Sequence, residues 1–279
     1  MIFTQKNWEK FCKKISDENL ISIPLKECFN KPITERIVCL KHDVETNVFK
    51  AFKIAEIESK YGHRGSYYVQ AYLLNNESNI KLLTKMQDMG HEVTYHHDVM
   101  DSNNGDINKA FDEFNSNLEL FEINGFNIVT VCQHGNPVIE RTGYTSNRDF
   151  FRNENIQQRF EKISDVMVNF PAKARITYDY YSDAGRKFKL IYDPINNDII
   201  NSDQKNISYE NLDELISEVV NKRNNFIISI HPHRWTKTAI ESIIKDKAFR
   251  IIKVLANGSM KISFIKRIAG KYYYLAKKI

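Results

Sequence analysis

The stretch NIKLLTKMQDMGHEVTYHHD, residues 79–98, decides the fold class because it contains a helical pattern, a glycine and a strand in succession. Gly90 stands where the helix would end, and glycine at that position adopts the left-handed backbone that lets the chain turn back. The same succession occurs around Gly62, before the strand GSYYVQ, and around Gly125, before the strand NIVTVCQH. Repeated helix–strand alternation predicts a parallel sheet flanked by helices, hence an α/β protein.

The rest of the chain extends this pattern on both sides. RIVCLKHDV (36–44) is typical of a buried strand, and DVMVNF (165–170), ARITYDYY (174–181) and NFIISIH (225–231) predict later strands. Residues 135–162 are polar and aromatic, which indicates a long loop or an insertion of short helices. We divide the chain into an N-terminal helical segment (1–30), the main α/β domain (31–240) and a basic C-terminal extension (241–279).

The composition is that of a globular protein: 279 residues, of which 42% are hydrophobic and 27% charged. No apolar stretch approaches the roughly 20 residues that a membrane helix needs. The first residues lack the apolar core of a secretory signal. Four scattered cysteines without a CxxC pair indicate free thiols in a reducing compartment. We therefore expect a cytoplasmic protein.

Positive charge is concentrated at the C-terminal end. Residues 245–279 contain ten Lys or Arg and one acid, within a chain whose net charge is +5. The remainder is thus net negative. The aromatic run KYYYLAKKI suggests that residues 258–279 contact an anionic membrane surface or another polyanion. A solvated basic helix is the alternative, and we expect no nucleic-acid partner.

Titratable residues follow four of the strands, at their C-terminal ends. They are His42, Asp43 and Glu45, then His96, His97 and Asp98, then His134, and finally His231. Active sites of α/β barrels and open α/β sheets are built at that edge. Mixed imidazole and carboxylate ligands suit Zn, with Fe, Co, Ni or Mn as alternatives. A catalytic centre needs about three protein ligands and an open position for water. The pattern predicts a hydrolytic divalent-metal site.

The motifs around these residues resemble those of the polysaccharide deacetylases, the carbohydrate esterase family built on the NodB homology domain. KHDVETNVFKAFKIAEIESKYGHRGSYYV (41–69) is similar to the family's opening, MGHEVTYHHD (89–98) to its second motif, and SIHP (229–232) to its late motif. CQHGNP (132–137) resembles a divergent branch associated with envelope-glycan biosynthesis. The resemblance covers about residues 36–235.

This resemblance implies a distorted (β/α)7 TIM-like barrel that removes an acyl group from an amino sugar of a glycan or glycan precursor. By position, Asp43 would be the catalytic base and His231 the general acid. Glu45 and His96 would hold the metal. Because Glu45 replaces the family's usual aspartate, Asp43 itself could be the ligand instead.

One departure concerns the third metal ligand. Met100 stands where the family usually has a second histidine. We expect His134 to complete the ligand set, with His97 and Asp98 as substitutes. His97 would point away from His96, since strand side chains alternate.

Four further residues are candidates for the substrate site. Asp183 would orient His231 or cap a turn, and Arg141 and Tyr144 would contact substrate from the long loop or belong to a surface loop without function. Trp235 would stack on a sugar ring or pack in the core.

Two other functions stay open. One is hydrolysis of a non-glycan amide or ester, and the other is binding by a catalytically inactive barrel.

Overall fold

The strands of the computed structural model form one sheet at the centre of the molecule. The structure describes residues 2–30, 36–136, 139–191 and 207–259, with side chains described as far as residue 250. The strands are β1 (Val38–Val44), β2 (Ser66–Val69), β3 (Glu92–His97), β4 (Thr130–Gln133), β5 (Ser164–Asp165), β6 (Asp179–Ser182), β7 (Phe188–Ile191), β8 (Ile207–Tyr209) and β9 (Phe226–Ile230). Their order across the sheet is β5-β4-β3-β2-β1-β9-β6-β7-β8.

The seven strands from β5 to β6 in that order are parallel, whereas β7 and β8 are added antiparallel at one edge. The expected parallel α/β sheet is therefore present. The barrel is not closed, however, because no ladder among the described strands joins β5 to the opposite edge. β5 has only two residues. The Asp165 side chain accepts from the Met167 amide and the Asn169 side chain from the Asp165 amide, and such local bonds compete with strand pairing.

The open sheet is nevertheless strongly curved. Tyr178, just before β6, donates a hydrogen bond to the Val166 carbonyl beside β5 at 3.3 Å, across the gap between the ends of the parallel set. One buried cluster includes side chains of β1, β2, β4, β6 and β9, namely Cys39, Tyr68, Cys132, Tyr180 and Ile227. The concave face of the sheet thus has its own interior, and the candidate site lies at one end of it.

Helices cover the convex face, except that the short helix Phe170–Ala174 packs in the interior cluster. They are α1 (Gln5–Asp17), α2 (Val48–Lys60), α3 (Glu77–Asp88), α4 (Val99–Ser102), α5 (Ile107–Ile123), α6 (Arg148–Arg152), α7 (Glu154–Arg159), α8 (Phe170–Ala174), α9 (Leu212–Asn221) and α10 (Ala239–Ser259). Gly62, Gly90 and Gly125 have φ of 77°, 88° and 83°, which confirms the helix–glycine–strand pattern. No helix within the described ranges combines the length and apolarity required to cross a bilayer.

The N-terminal segment packs against the main domain. The amide of Thr236 donates to the Phe3 carbonyl at 3.0 Å, and the Gln5 amide donates to the Thr236 carbonyl at 2.9 Å. Trp8 on α1 is fully buried. The boundaries at residues 30 and 240 remain predictions.

Residues 135–162 contain the short helices α6 and α7. The segment is held by Asp101, whose carboxylate accepts hydrogen bonds from Arg141, Tyr144 and Asn147 at 2.8–3.1 Å. Residues 260–279, which contain most of the expected membrane-contacting tail, lie outside the described residues.

Candidate active site

Strand β1 sends alternate side chains to opposite faces of the sheet. His42 faces the helices, with its Nε2 2.9 Å from the Glu58 carboxylate, whereas Lys41 and Asp43 face the interior. The buried Lys41 ammonium contacts Asp43 Oδ1 directly and lies 3.4 Å from Ser229 Oγ. Burial alone would raise the pKa of Asp43, but the Lys41 charge and nearby histidines hold it well below its usual range. Asp43 is therefore an anion with one oxygen already occupied.

His96, near the end of β3, has the geometry of a metal ligand. Its Nδ1 donates to the Cys132 carbonyl at 2.9 Å, which leaves the lone pair on Nε2. Nε2 is buried and has no hydrogen-bond partner among the described residues. Burial lowers the pKa of His96 to about 3, so the ring is neutral at physiological pH. Metal-binding histidines are commonly fixed in this way by a carbonyl on the other ring nitrogen.

Glu45 and His134 complete a three-residue group with His96. His134 Nε2 lies 3.2 Å from Glu45 Oε1. The candidate ligand atoms of Glu45, His96 and His134 all lie within 4.8 Å of one another. The main chain places His134, since its amide donates to the His97 carbonyl at 2.7 Å. Two imidazoles and one carboxylate are a donor set that suits Zn and related divalent metals.

Asp43, His96 and Cys132 form a second group with equally close atoms. It is the poorer candidate, because Lys41 occupies one Asp43 oxygen and burial raises the pKa of the Cys132 thiol above its ordinary value. A neutral thiol is a weak ligand, since metals bind the thiolate. The geometry favours Glu45, His96 and His134 as ligands, with Asp43 beside them.

His231, which follows β9, faces the same centre. Its Nε2 lies 3.9 Å from Asp43 Oδ2 and 3.8 Å from Glu45 Oε1. Its Nδ1 lies 2.6 Å from Asp183 Oδ1. Asp183 is buried, and the charges of His231 and Arg234 lower its pKa although burial opposes the shift. A buried carboxylate on Nδ1 orients the ring and leaves Nε2 directed toward the acids.

The structure does not bring every sequence candidate into this centre. His97 faces the other side of β3, where its Nε2 lies 2.8 Å from Asp165 Oδ2. Trp235 is fully buried, packs against Phe3 and Trp8, and donates from its ring nitrogen to Asp183 at 3.1 Å. It presents no ring face to a sugar, so the burial supports the packing alternative.

The remaining candidates lie outside the group of Glu45, His96 and His134. Arg141 and Tyr144 bind the Asp101 carboxylate, as described above, and so fix the loop that carries them. Asp98 stands at the N-cap of α4 without a side-chain capping bond and lines a neighbouring cavity. Met100 is buried in the hydrophobic core.

The sequence interpretation missed two charged residues. Lys41 could have been found, because it stands two positions before Asp43 and strand side chains at that spacing share a face. Arg234 donates to Asp183 Oδ1 at 3.1 Å, a contact that no spacing in the sequence indicates.

Comparisons with known proteins add little to this geometry. No family model matches the sequence, and no curated protein matches it. Among solved structures, the chain is similar to a point mutant of the peptidoglycan deacetylase PdaC from Bacillus subtilis. The TM-score is 0.38 and the sequence identity is 14%, over 82% of this chain and 99% of that chain.

Proposed function

We propose that the chain is a metal-dependent hydrolase that removes an N-acyl group, such as acetyl, from an amino sugar of a glycan or glycan precursor. The observation that carries the proposal is that two groups of residues face the same centre. Glu45, His96 and His134 form a metal-ligand group, and the His231–Asp183 pair faces it beside the Asp43 carboxylate. The sugar substrate rests on the motif resemblance of residues 36–235.

The residues divide the reaction between them. A divalent metal held at Glu45, His96 and His134, most consistently Zn, would lower the pKa of a water and polarise the acyl carbonyl. Asp43 accepts the proton of the attacking water on Oδ2, since Lys41 occupies Oδ1. As the water oxygen bonds to the acyl carbon and the C–N bond breaks, His231 Nε2 protonates the departing amine. The products are a carboxylic acid and a free amino sugar.

The pH dependence of this scheme has a defined form. Asp43 must be ionised and His231 protonated, so kcat/KM should rise and then fall with pH. Asp43→Asn and His231→Ala should each lower turnover by on the order of 10²–10⁴. His231→Ala should keep its metal, because His231 is not among the proposed ligands. A near-native rate in either variant would exclude that residue's role.

The activity test uses the zinc-loaded protein and measures acid release. The substrates are N-acetylated chitooligosaccharides, N-acetylglucosamine-containing peptidoglycan fragments and two non-sugar controls, an N-acetylated alkylamine and an aryl acetate. Acetate release from the sugars above the controls supports the proposal. Release from the controls alone would favour the non-glycan hydrolase, and no release with metal bound would favour a binding protein.

A further inference from the structure

A cavity lies beside the candidate metal centre. It has a volume of about 310 Å³, at the lower end of the range for small-molecule sites. It lies between the 3-10 segment Ala71–Asn75 and α5, above the ends of β2 and β3. The lining residues are Gln70, Ala71, Tyr72, Asn75, Tyr95, Asp98, Glu113, Asn117 and Leu120.

The lining is polar and negatively charged. Asp98 and Glu113 contribute carboxylates, and no lysine or arginine is among the nine lining residues. Glu113 is fixed by hydrogen bonds from Ser102 at 2.7 Å and Asn103 at 2.6 Å. Amides, phenols and carboxylates together can both donate to and accept from hydroxyl groups. An anionic ligand would be repelled by this wall, whereas an ammonium group would be attracted.

Two residues connect the cavity to the metal centre. Tyr72 donates from its hydroxyl to the Glu45 carbonyl at 2.5 Å, and the residue is 54% exposed. Gln70 follows β2 directly. Val69 pairs with Val44 on β1 and with Tyr95 on β3. The residues that follow these three are Gln70, Glu45 and His96, so Gln70 lies between Glu45 and His96.

The side chain of Gln70 supplies an independent sign of a ligand. Gln70 is only 7% exposed, and its Nε2 has no hydrogen-bond partner within the described part of the chain. A buried donor without a partner destabilises the fold, so such groups are normally satisfied by a ligand or water. Gln70 lines the cavity and also lies next to Glu45 and His96 of the candidate metal centre.

We propose that this cavity binds the sugar ring next to the acylated unit, and that it selects neutral or amine-bearing rings over carboxylate-bearing ones. The inference rests on the proposed function and narrows its substrate class. Gln70 donates to the ligand at the junction, Tyr72 offers its exposed ring face, and Asp98 with Glu113 sets the charge preference. A glycan already carrying free amino groups would then remain a good ligand.

The test measures binding of three monosaccharide probes to the zinc-loaded full chain by NMR titration at neutral pH. The probes are glucosamine, glucose and glucuronic acid. We expect glucosamine to bind most tightly and glucuronic acid most weakly. Asp98→Asn should reduce the glucosamine-to-glucuronic acid affinity ratio by about fivefold, since a unit charge at ~4 Å in water is worth about 1 kcal/mol. Gln70→Ala should weaken glucosamine and glucose alike, by about fivefold for one hydrogen bond.

The matched control is Glu119→Gln, which removes an exposed charge from the same helix as Glu113 and should leave the ratio unchanged. Equal binding of glucosamine and glucuronic acid would overturn the inference, as would a ratio that Asp98→Asn does not alter. Charge-dependent binding by a protein that releases no acyl group would support the cavity and overturn the hydrolysis. Acyl release without charge-dependent binding would support the hydrolysis and overturn the role of the cavity.

Discussion

At the scale of single residues, the least usual feature is a lysine buried directly beneath the candidate site. Lys41 is 1% exposed, and its ammonium contacts Asp43. Although burial alone would lower the pKa of Lys41, the Asp43 charge raises it well above its usual value. The pair thus fixes a charged carboxylate beside the candidate metal-ligand group.

Removing the Lys41 charge should destabilise the protein strongly. Lys41→Met keeps most of the side-chain volume but leaves Asp43 buried and unpaired, which costs about 3–5 kcal/mol in comparable pairs. The measurement is the free energy of unfolding in denaturant with a chelator present, so that metal does not neutralise Asp43.

Two comparisons separate charge from packing in that measurement. The double variant Lys41→Met with Asp43→Leu should recover most of the loss, because no charge is then left unpaired. Lys13→Met breaks an exposed pair with Asp17 on α1 and should change stability little. A Lys41→Met protein as stable as the parent would refute the buried pair.

The convergence of the candidate residues could be predicted, whereas their surroundings could not. Asp43, His96 and His231 follow parallel strands, whose C-terminal ends meet at one edge, and the structure brings the three side chains close together. The packing of Trp235 against Phe3 and Trp8 and the contact of Arg234 with Asp183 join segments that are far apart in the sequence. The local sequence therefore does not predict them.

At the scale of secondary structure, one carboxylate joins four elements. Glu58 on α2 accepts from Trp8 of α1 at 3.0 Å and from Tyr67 of β2 at 2.8 Å, and it lies 2.9 Å from His42 of β1. The residue is fully buried. Burial opposes ionisation, but the His42 charge and these hydrogen bonds lower the pKa of Glu58 below its ordinary 4.5.

Glu58 should therefore contribute to the acid sensitivity of the fold. Because its folded-state pKa lies below the unfolded value of 4.5, its stabilisation is complete above that pH and is lost as the pH falls further. Glu58→Gln should be less stable at neutral pH and should show a shallower decline of stability below pH 4.5. Parallel pH profiles for the two proteins would show that Glu58 is not the group responsible.

The elements themselves were predictable where the pattern was periodic and capped. The helices before Gly62, Gly90 and Gly125 and the strands after them are present as expected. Of the strand expected at residues 165–170, only Asp165 lies in a strand, because Asp165 and Asn169 hydrogen-bond the local backbone, and Phe170 already begins α8. The antiparallel β7 and β8 were not predicted, although β7 pairs with β6 across a short connection, with Ser182 opposite Lys189. The open edge could not be derived, since it depends on strands that are far apart in the sequence.

At the scale of the whole molecule, charge and site lie in different parts of the chain. The site contains the carboxylates of Asp43, Glu45 and Asp183, whereas the excess of positive charge lies beyond residue 244. We propose that residues 258–279 attach the protein reversibly to an anionic membrane surface on the cytoplasmic side, where glycan precursors would be available.

Vesicle co-sedimentation tests that attachment. Six basic residues in the tail, each worth about 1 kcal/mol near an anionic leaflet, should bind the full chain to anionic vesicles at low salt. High salt should release it through screening. A chain ending at residue 257 is the control, and equally weak sedimentation of both would show that the tail serves another purpose.

The central claim is that Glu45, His96 and His134 hold one catalytic divalent metal. Its most direct test is the metal content of the purified chain by mass spectrometry, for the parent and for His96→Ala, with His97→Gln as control. His97 is adjacent on β3 but faces the opposite side, toward Asp165. We expect about one metal per chain in the parent and in His97→Gln, and almost none in folded His96→Ala. One metal per chain in His96→Ala, or none in the parent after incubation with zinc, would contradict the account.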